Sequence, residues 1–203
     1  MQQSLAVSAG KAVWQPSVKI HSDETLIALI AAHDRNAMRD LFVRHKTRVF
    51  RFLLRVAGDA AAAEDLLNEV FIEIWRHAGK FEARSKVSTW MLAIAHFKAT
   101  AWRRRRASDQ LDDDATASIK DPGDDPEVVV QKQGSCVVIR ECLKRLSPAH
   151  RTVLDLIYYH EQSIAEVARI IGVPENTVKT RAYYARKCVA QMLAERGIGR
   201  EAL

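Results

Sequence analysis

Two clusters in this sequence have the residue types and spacing to handle a polyanion. The first is Trp102-Arg103-Arg104-Arg105-Arg106. Consecutive arginines point around the whole circumference of a helix, so no single acid can neutralise them. They suit a phosphate backbone, where each contact releases counterions; the plainer alternative is a solvated helix end that complements the helix dipole. Trp102 beside them offers a stacking face to an unpaired base, whereas Trp90 and Phe97 read as core. The second cluster is SIAEVARIIGVPENTVKTRAYYAR, residues 163–186. Ala168, Gly172 and Val178 stand at the spacing of a helix-turn-helix. The small Ala168 permits close helix approach, Gly172 permits a positive φ at the turn, and Val178 packs the second helix on the first. The exposed face then carries Asn176, Thr177, Lys179, Thr180, Arg181, Tyr184, Arg186 and Lys187. Amides and guanidinium groups reach base edges, while Lys and Thr suit phosphates. A plain helical hairpin with a basic face is the competing reading.

Catalytic chemistry finds no such support. The sequence has no nucleophile elbow, H-E-x-x-H pair, Gly-rich phosphate loop or paired Cys/His ligands. Asp112-Asp113-Asp114 fits an acidic connecting segment better than a metal site, and the histidines are scattered along helices. Cys136, Cys142 and Cys188 are odd in number and lack C-x-x-C spacing, which argues against a disulfide framework or zinc knuckle. The expectation is a protein without catalytic activity, cofactor or metal.

The elements that must position these clusters follow from composition and periodicity. Apolar residues make up 48% of the 203, with only 8 Gly and 5 Pro, a composition that favours helices. The charge is +6, unevenly placed: residues 109–127 carry seven Asp and one Glu against one Lys, a net −7, which leaves +13 on the rest. Basic flanks around an acidic segment suggest a nucleic-acid partner. No run approaches a membrane span of ~18 apolar residues, and the first 20 residues lack the layout of a signal peptide; both point to a cytoplasmic location without membrane insertion.

The chain divides into a leader (1–20), a helical module (21–106), an acidic linker containing Pro122-Gly123 (107–125) and a second helical module (126–203) with the helix-turn-helix at about 163–193. In the first module helices are expected near 23–32, 36–58, 59–78 and 89–106. Met38, Leu41, Phe42, His45, Val49, Phe52 and Val56 form one apolar stripe; Leu66, Leu67, Val70, Phe71, Ile74, Trp75 and Ala78 form the next. In the fourth helix Trp90, Ile94, Phe97 and Ala101 share a face, and Met91, Ala95, Lys98, Trp102 and Arg105 share an adjacent one. Gly58 and Gly79 close helices and Asp59 caps one. In the second module a helix near 127–146 precedes Ser147-Pro148, a cap followed by Pro at the first helical position, and Ser163 to Glu166 fits a capping box. The fold class is all-α.

Taken in order, these segments resemble the extracytoplasmic-function sigma factors of the bacterial sigma-70 family. AAAEDLLNEVFIEIWRHAGKFE (61–82) is similar to that family's polymerase-binding helix. STWMLAIAHFKATAWRRRR (88–106) resembles its promoter-melting helix, and 146–187 its second DNA-binding domain. The likeness covers 22–106 and 127–195.

The resemblance implies a factor that binds core RNA polymerase and directs promoter-specific initiation, for a stress regulon and under an anti-sigma protein. It implies that Asp65, Asn68, Glu69, Glu73 and Arg76 dock on polymerase. Arg84, Ser85 and Lys86 of the 82–88 loop, with Lys98, Trp102 and the four arginines, would meet the minus-ten element. The face from Asn176 to Lys187 would enter the major groove at the minus-thirty-five element, and the acidic linker would thread toward the RNA exit path. The chain departs from the family pattern at Asn68, where Gln is usual, and at Ala182-Tyr183-Tyr184, where Arg is frequent in the last place. The loop ARSKVS (83–88) lacks a frequent Gly-Asp pair. The alternative function is a helix-turn-helix repressor or activator that works without polymerase.

Overall fold

A computed structural model describes residues 21–109, 138–139 and 141–196. The leader, residues 110–125 of the expected linker, and most of the helix expected near 127–146 lie outside these residues. Every regular element among the described residues is helical: α1 (Asp23–Ala31), α2 (Arg35–Ala57), α3 (Ala60–His77) with a single 3-10 turn at Ala78–Lys80, α4 (Val87–Asp109), α5 (Pro148–Tyr158), α6 (Ile164–Ile171) and α7 (Glu175–Ala194).

Local chemistry sets the boundaries. Asp34 caps α2 by accepting the Asn36 and Ala37 amides, and Gly58 ends it at φ 76°. Asp59 accepts the Ala62 amide to begin α3. Ser147 caps α5 with Pro148 at its first position, and Ser163 and Glu166 form the complete capping box of α6. Gly172 ends α6 at φ 68°. Pro174 occupies the cap of α7 rather than its first turn, in extended backbone that feeds Glu175.

The apolar stripes of α2 and α3 meet as expected, with Phe52, Leu53, Leu66, Val70 and Ile74 fully enclosed. His45 is buried within this stripe, and its Nε2 lies 2.8 Å from Asp23 Oδ2. α4 corrects the expectation that Phe97 belongs to the core, and of its two apolar faces buries the one with Met91 and Ala95. Its buried line is Val87, Met91, Leu92, Ala95 and Ala99, while Phe97 is 69% exposed. Small alanines let α4 lie close on α2 and α6, which rotates the bulkier Phe97 outward. α4 also continues to Asp109, so the first three residues assigned to the linker are helical.

The two modules share one apolar cluster. Val153, Leu156, Val167, Ile170, Val178 and Ala182 of the second module join the core built by α1 to α4. A smaller cluster, with Cys142, Leu146, Leu154, Ala185, Met192 and Leu193, holds α7 against α5 and the helical stretch at 141–145. Arg151 braces that stretch by donating from Nε to the Leu143 carbonyl at 3.0 Å.

Candidate nucleic-acid interface

α3 places Asp65, Asn68, Glu69 and Arg76 on its exposed side, with Glu73 half-buried. Beside them runs a shallow apolar groove lined by Met38, Asn68, Phe71, Ile72 and Trp75. Ile72 is 49% exposed. Periodicity alone misses this residue; its signal is an isoleucine lying off the apolar stripe and among the polar positions. The surface therefore combines acids with a central greasy strip, the usual composition of a protein-docking face.

The arginine run is not uniform. Arg104 and Arg105 are exposed and Arg103 is half-buried. Arg106 turns back: its Nη1 lies 3.0 Å from Asp59 Oδ2, and its guanidinium sits over the Trp102 ring at 5.2 Å. Asp59 carries two duties, capping α3 and holding Arg106. The Ala62 amide first, and Arg106 second, keep its carboxyl below the usual range. Trp102 is half-buried against the core. Lys98 also faces inward, with Nζ at 3.3 Å from Glu69 Oε2 and 3.4 Å from Glu73 Oε2. The structure thus ties a residue expected at DNA to two expected at polymerase.

The loop between α3 and α4 bends at Ala83, whose φ is 53°. Arg84 extends into solvent beside Glu82, at 2.6 Å, and Ser85 is half-buried. Lys86 reaches Glu166 Oε1 at 3.3 Å, and Arg169 donates to the Arg84 carbonyl at 3.1 Å.

On α7, Asn176, Lys179, Thr180, Tyr184, Arg186 and Lys187 are exposed and Thr177 is half-buried. Thr180 Oγ1 donates to the Asn176 carbonyl at 2.9 Å. Arg181 differs from the rest: it is half-buried and close enough to α4 to act on His96. Burial, and then the Arg181 charge, lower the pKa of the His96 imidazole from its ordinary value. Tyr183 packs edge-on to Tyr184, both more than half exposed. The helix-turn-helix geometry itself holds: α6 and α7 meet through buried Val167, Ile170 and Val178 across the Gly172 turn.

Comparison with known proteins decides the family. Residues 41–108 match the Sigma-70 region 2 family and residues 136–189 match Sigma-70, region 4. The ECF RNA polymerase sigma factor SigL of Mycobacterium tuberculosis is 30% identical over 175 residues, spanning 84% of this chain and 96% of that protein. The chain belongs to the extracytoplasmic-function sigma factors. SigK of Mycobacterium bovis, another ECF sigma factor, is 29% identical to this one over 167 residues, 80% of this chain and 89% of its own. The fold of this sigma factor is also that of CnrH, solved with the cytosolic domain of CnrY, at a TM-score of 0.62 and 19% identity over 85% of this chain and 97% of that one. A sigma factor RpoE from Bartonella quintana, solved with the anti-sigma factor NepR, matches at 0.61 and 20%, over 77% and 96%. No helix among the described residues of this sigma factor is long and apolar enough to cross a membrane.

Proposed function

We propose that this sigma factor docks on core polymerase through the α3 face. Asp65, Asn68, Glu69, Glu73 and Arg76 would surround the Ile72 groove there, and the bound enzyme would be directed to promoters read at two places. Arg84, Ser85, Lys86, Lys98, Trp102 and the arginine run would serve the minus-ten element, and α7 the minus-thirty-five element through Asn176, Thr177, Lys179, Thr180, Arg181, Tyr184, Arg186 and Lys187. The observation that carries the reading is the pairing of an acid-rimmed apolar groove on α3 with a capped helix-turn-helix whose second helix bears an exposed basic face. Protein docking and DNA reading then sit on separate surfaces of one chain. The factor would act in the cytoplasm, without catalysis of its own, with the acidic linker lying toward the RNA exit path.

An anti-sigma protein would hold the factor until a stress signal arrives. Two proteins of the same fold were solved with such partners or with a cytosolic domain bound, and the α3 groove supplies an apolar seat for a partner helix. Run-off transcription from the promoter of its own operon, with and without core polymerase, tests the main reading. Transcripts only with both components are expected; promoter binding by the chain alone, with no transcript, would favour the repressor alternative.

A further inference from the structure

Polar pairs flank the apolar cluster that the two modules share, and at one end of this seam the cations are matched. Arg55 Nε lies 2.5 Å from Asp155 Oδ1, Lys86 pairs with Glu166, and Arg48 donates from Nε to His160 Nδ1 at 3.2 Å. The buried Thr89 hydroxyl donates to Gln162 Oε1 at 2.9 Å, which fixes the side of α4 that faces the second module. His96 and then Arg103 follow on that side, each seven residues after the last, close to two helical turns. Beyond Thr89 the matching stops. Arg103, Arg151 and Arg181 are all half-buried, and among the described residues no carboxylate pairs with any of them. Arg151 of α5 gives Nε and Nη2 only to the carbonyls of Leu143, Lys144 and Leu146. His96 Nδ1 is shut from solvent and has no partner. The groups also feel one another across the modules. Burial first, and then the charge of Arg103, lower the pKa of Arg151; burial first, and then Arg181 of α7, lower that of His96.

We infer that this stretch of the cleft, between α4 and the α5–α7 pair, is a binding site for a small molecule with linked phosphate groups. Arg103 holds it from one module, Arg151 and Arg181 hold it from the other, and His96 lies beside it. Three half-buried guanidinium groups gathered without a carboxylate are costly to keep together, and an anion removes that cost. Phosphate oxygens match the guanidinium fork in shape and charge, which a halide does not. Reach selects for more than one phosphate: His96 and Arg103 stand roughly 10 Å apart along α4, a span that a single phosphate does not bridge. The outward-facing Arg104 and Arg105 take no part. The proposed function gives Arg103 and Arg181 to promoter DNA as well, so ligand and promoter exclude each other at two groups; this consequence alone rests on that reading.

The test needs neither polymerase nor a known promoter, so its outcome is separate from that of the sigma-factor reading. Pyrophosphate, inorganic phosphate and chloride are titrated calorimetrically into the full chain at one ionic strength. Saturable binding is expected for pyrophosphate, weaker binding for phosphate and none for chloride. Arg103→Gln and Arg181→Gln should each weaken pyrophosphate by about tenfold or more, as loss of a charge-assisted bond does. Arg104→Gln, one residue from Arg103 but in open solvent, should change it less than about twofold. Saturating pyrophosphate should also raise the His96 pKa, read by NMR, because the ligand offsets the Arg181 charge. Circular dichroism identifies a variant that has merely unfolded, and the other variant with the His96 titration then carries the result. A short duplex is the second probe: Arg104→Gln should weaken it and spare pyrophosphate. Equal responses to all three anions, or equal losses for Arg103→Gln and Arg104→Gln with both probes, would reduce the cluster to a general basic surface and overturn the inference.

Discussion

Lys98 Nζ stands within 3.4 Å of both Glu69 and Glu73, so the helix expected to melt DNA is pinned to the helix expected to meet polymerase. All three side chains keep some solvent access, which limits the worth of each pair. Replacing Lys98 by Met should therefore lower stability by no more than about 1 kcal/mol. Its larger effect should be on core polymerase, because two acids lose their internal cation and become free to seek partners. Thermal melts and competition for core enzyme against Glu69→Ala separate the two effects. A Lys98→Met chain that melts normally and binds core as wild type would show the pairs to be incidental.

Glu166 should make the second module acid-sensitive. The Ser163 amide, foremost, and then the Ser163 hydroxyl and Lys86 hold its carboxyl below the ordinary value of 4.5. The unfolded chain takes up the proton first as pH falls. The contribution is therefore complete above about 4.5 and is lost as pH drops through the lower folded value. Glu166→Gln keeps an acceptor for the Ser163 amide but cannot titrate. Its denaturation midpoint should match the wild type's more closely as pH falls below about 4.5; an equal acid-induced loss in both would assign the sensitivity elsewhere.

Two positions with positive φ should respond with opposite sign. Gly172 has φ 68° and open space where a Cβ would sit, so Gly172→Ala meets only backbone strain. A loss of about 1–2 kcal/mol is expected. Ala83 already bears such strain at φ 53°, and Ala83→Gly should gain less than about 1 kcal/mol once the looser unfolded chain is counted. Urea midpoints on the full chain measure both, and a stabilising Gly172→Ala would contradict the turn geometry.

The basic groups should divide by the kind of partner they meet. Lys179 on α7 should cost roughly 1–3 kcal/mol at one promoter position when replaced by Ala, as a base-edge reader does. The exposed pair Arg104→Ala/Arg105→Ala should weaken holoenzyme binding at every sequence and lower the salt slope by ~0.9 for each phosphate left without its arginine. Arg181→Ala should combine a promoter-specific loss with a rise in the His96 pKa, since its charge is one of the two influences depressing that imidazole. Binding across a promoter panel at several salt concentrations, with His96 titration by NMR, reads all three.

What the chain reveals before it folds is mostly local. Asp59, Ser147-Pro148, the Ser163 capping box, Gly58 and Gly172 all act within four residues, and each falls where its chemistry requires. The second helix of the helix-turn-helix is legible for the same reason. The orientation of α4 is not, because its many alanines give a weak periodic signal, and packing against two partners chooses the Met91, Ala95 and Ala99 face over the one bearing Phe97. The seam between modules is invisible to periodicity. Thr89 and Gln162 are 73 residues apart, and Arg48 and His160 are 112 apart. Arg48 and Arg55 look like solvated helix charges until the second module is folded onto them.

The Arg106 bond to Asp59 has a thermodynamic corollary. Asp59 begins the helix whose outer face the proposed function gives to polymerase, and Arg106 lies in the last turn of the helix whose arginines it gives to DNA. A phosphate that draws Arg106 away leaves the α3 cap without its cation, and a protein that stiffens the start of α3 strengthens the grip on Arg106. The two binding events then share one free energy of coupling. Whatever factor separates polymerase affinity with and without promoter DNA must equally separate promoter affinity with and without polymerase. A single guanidinium would thereby tune, from one place, how readily the holoenzyme lets go of either companion.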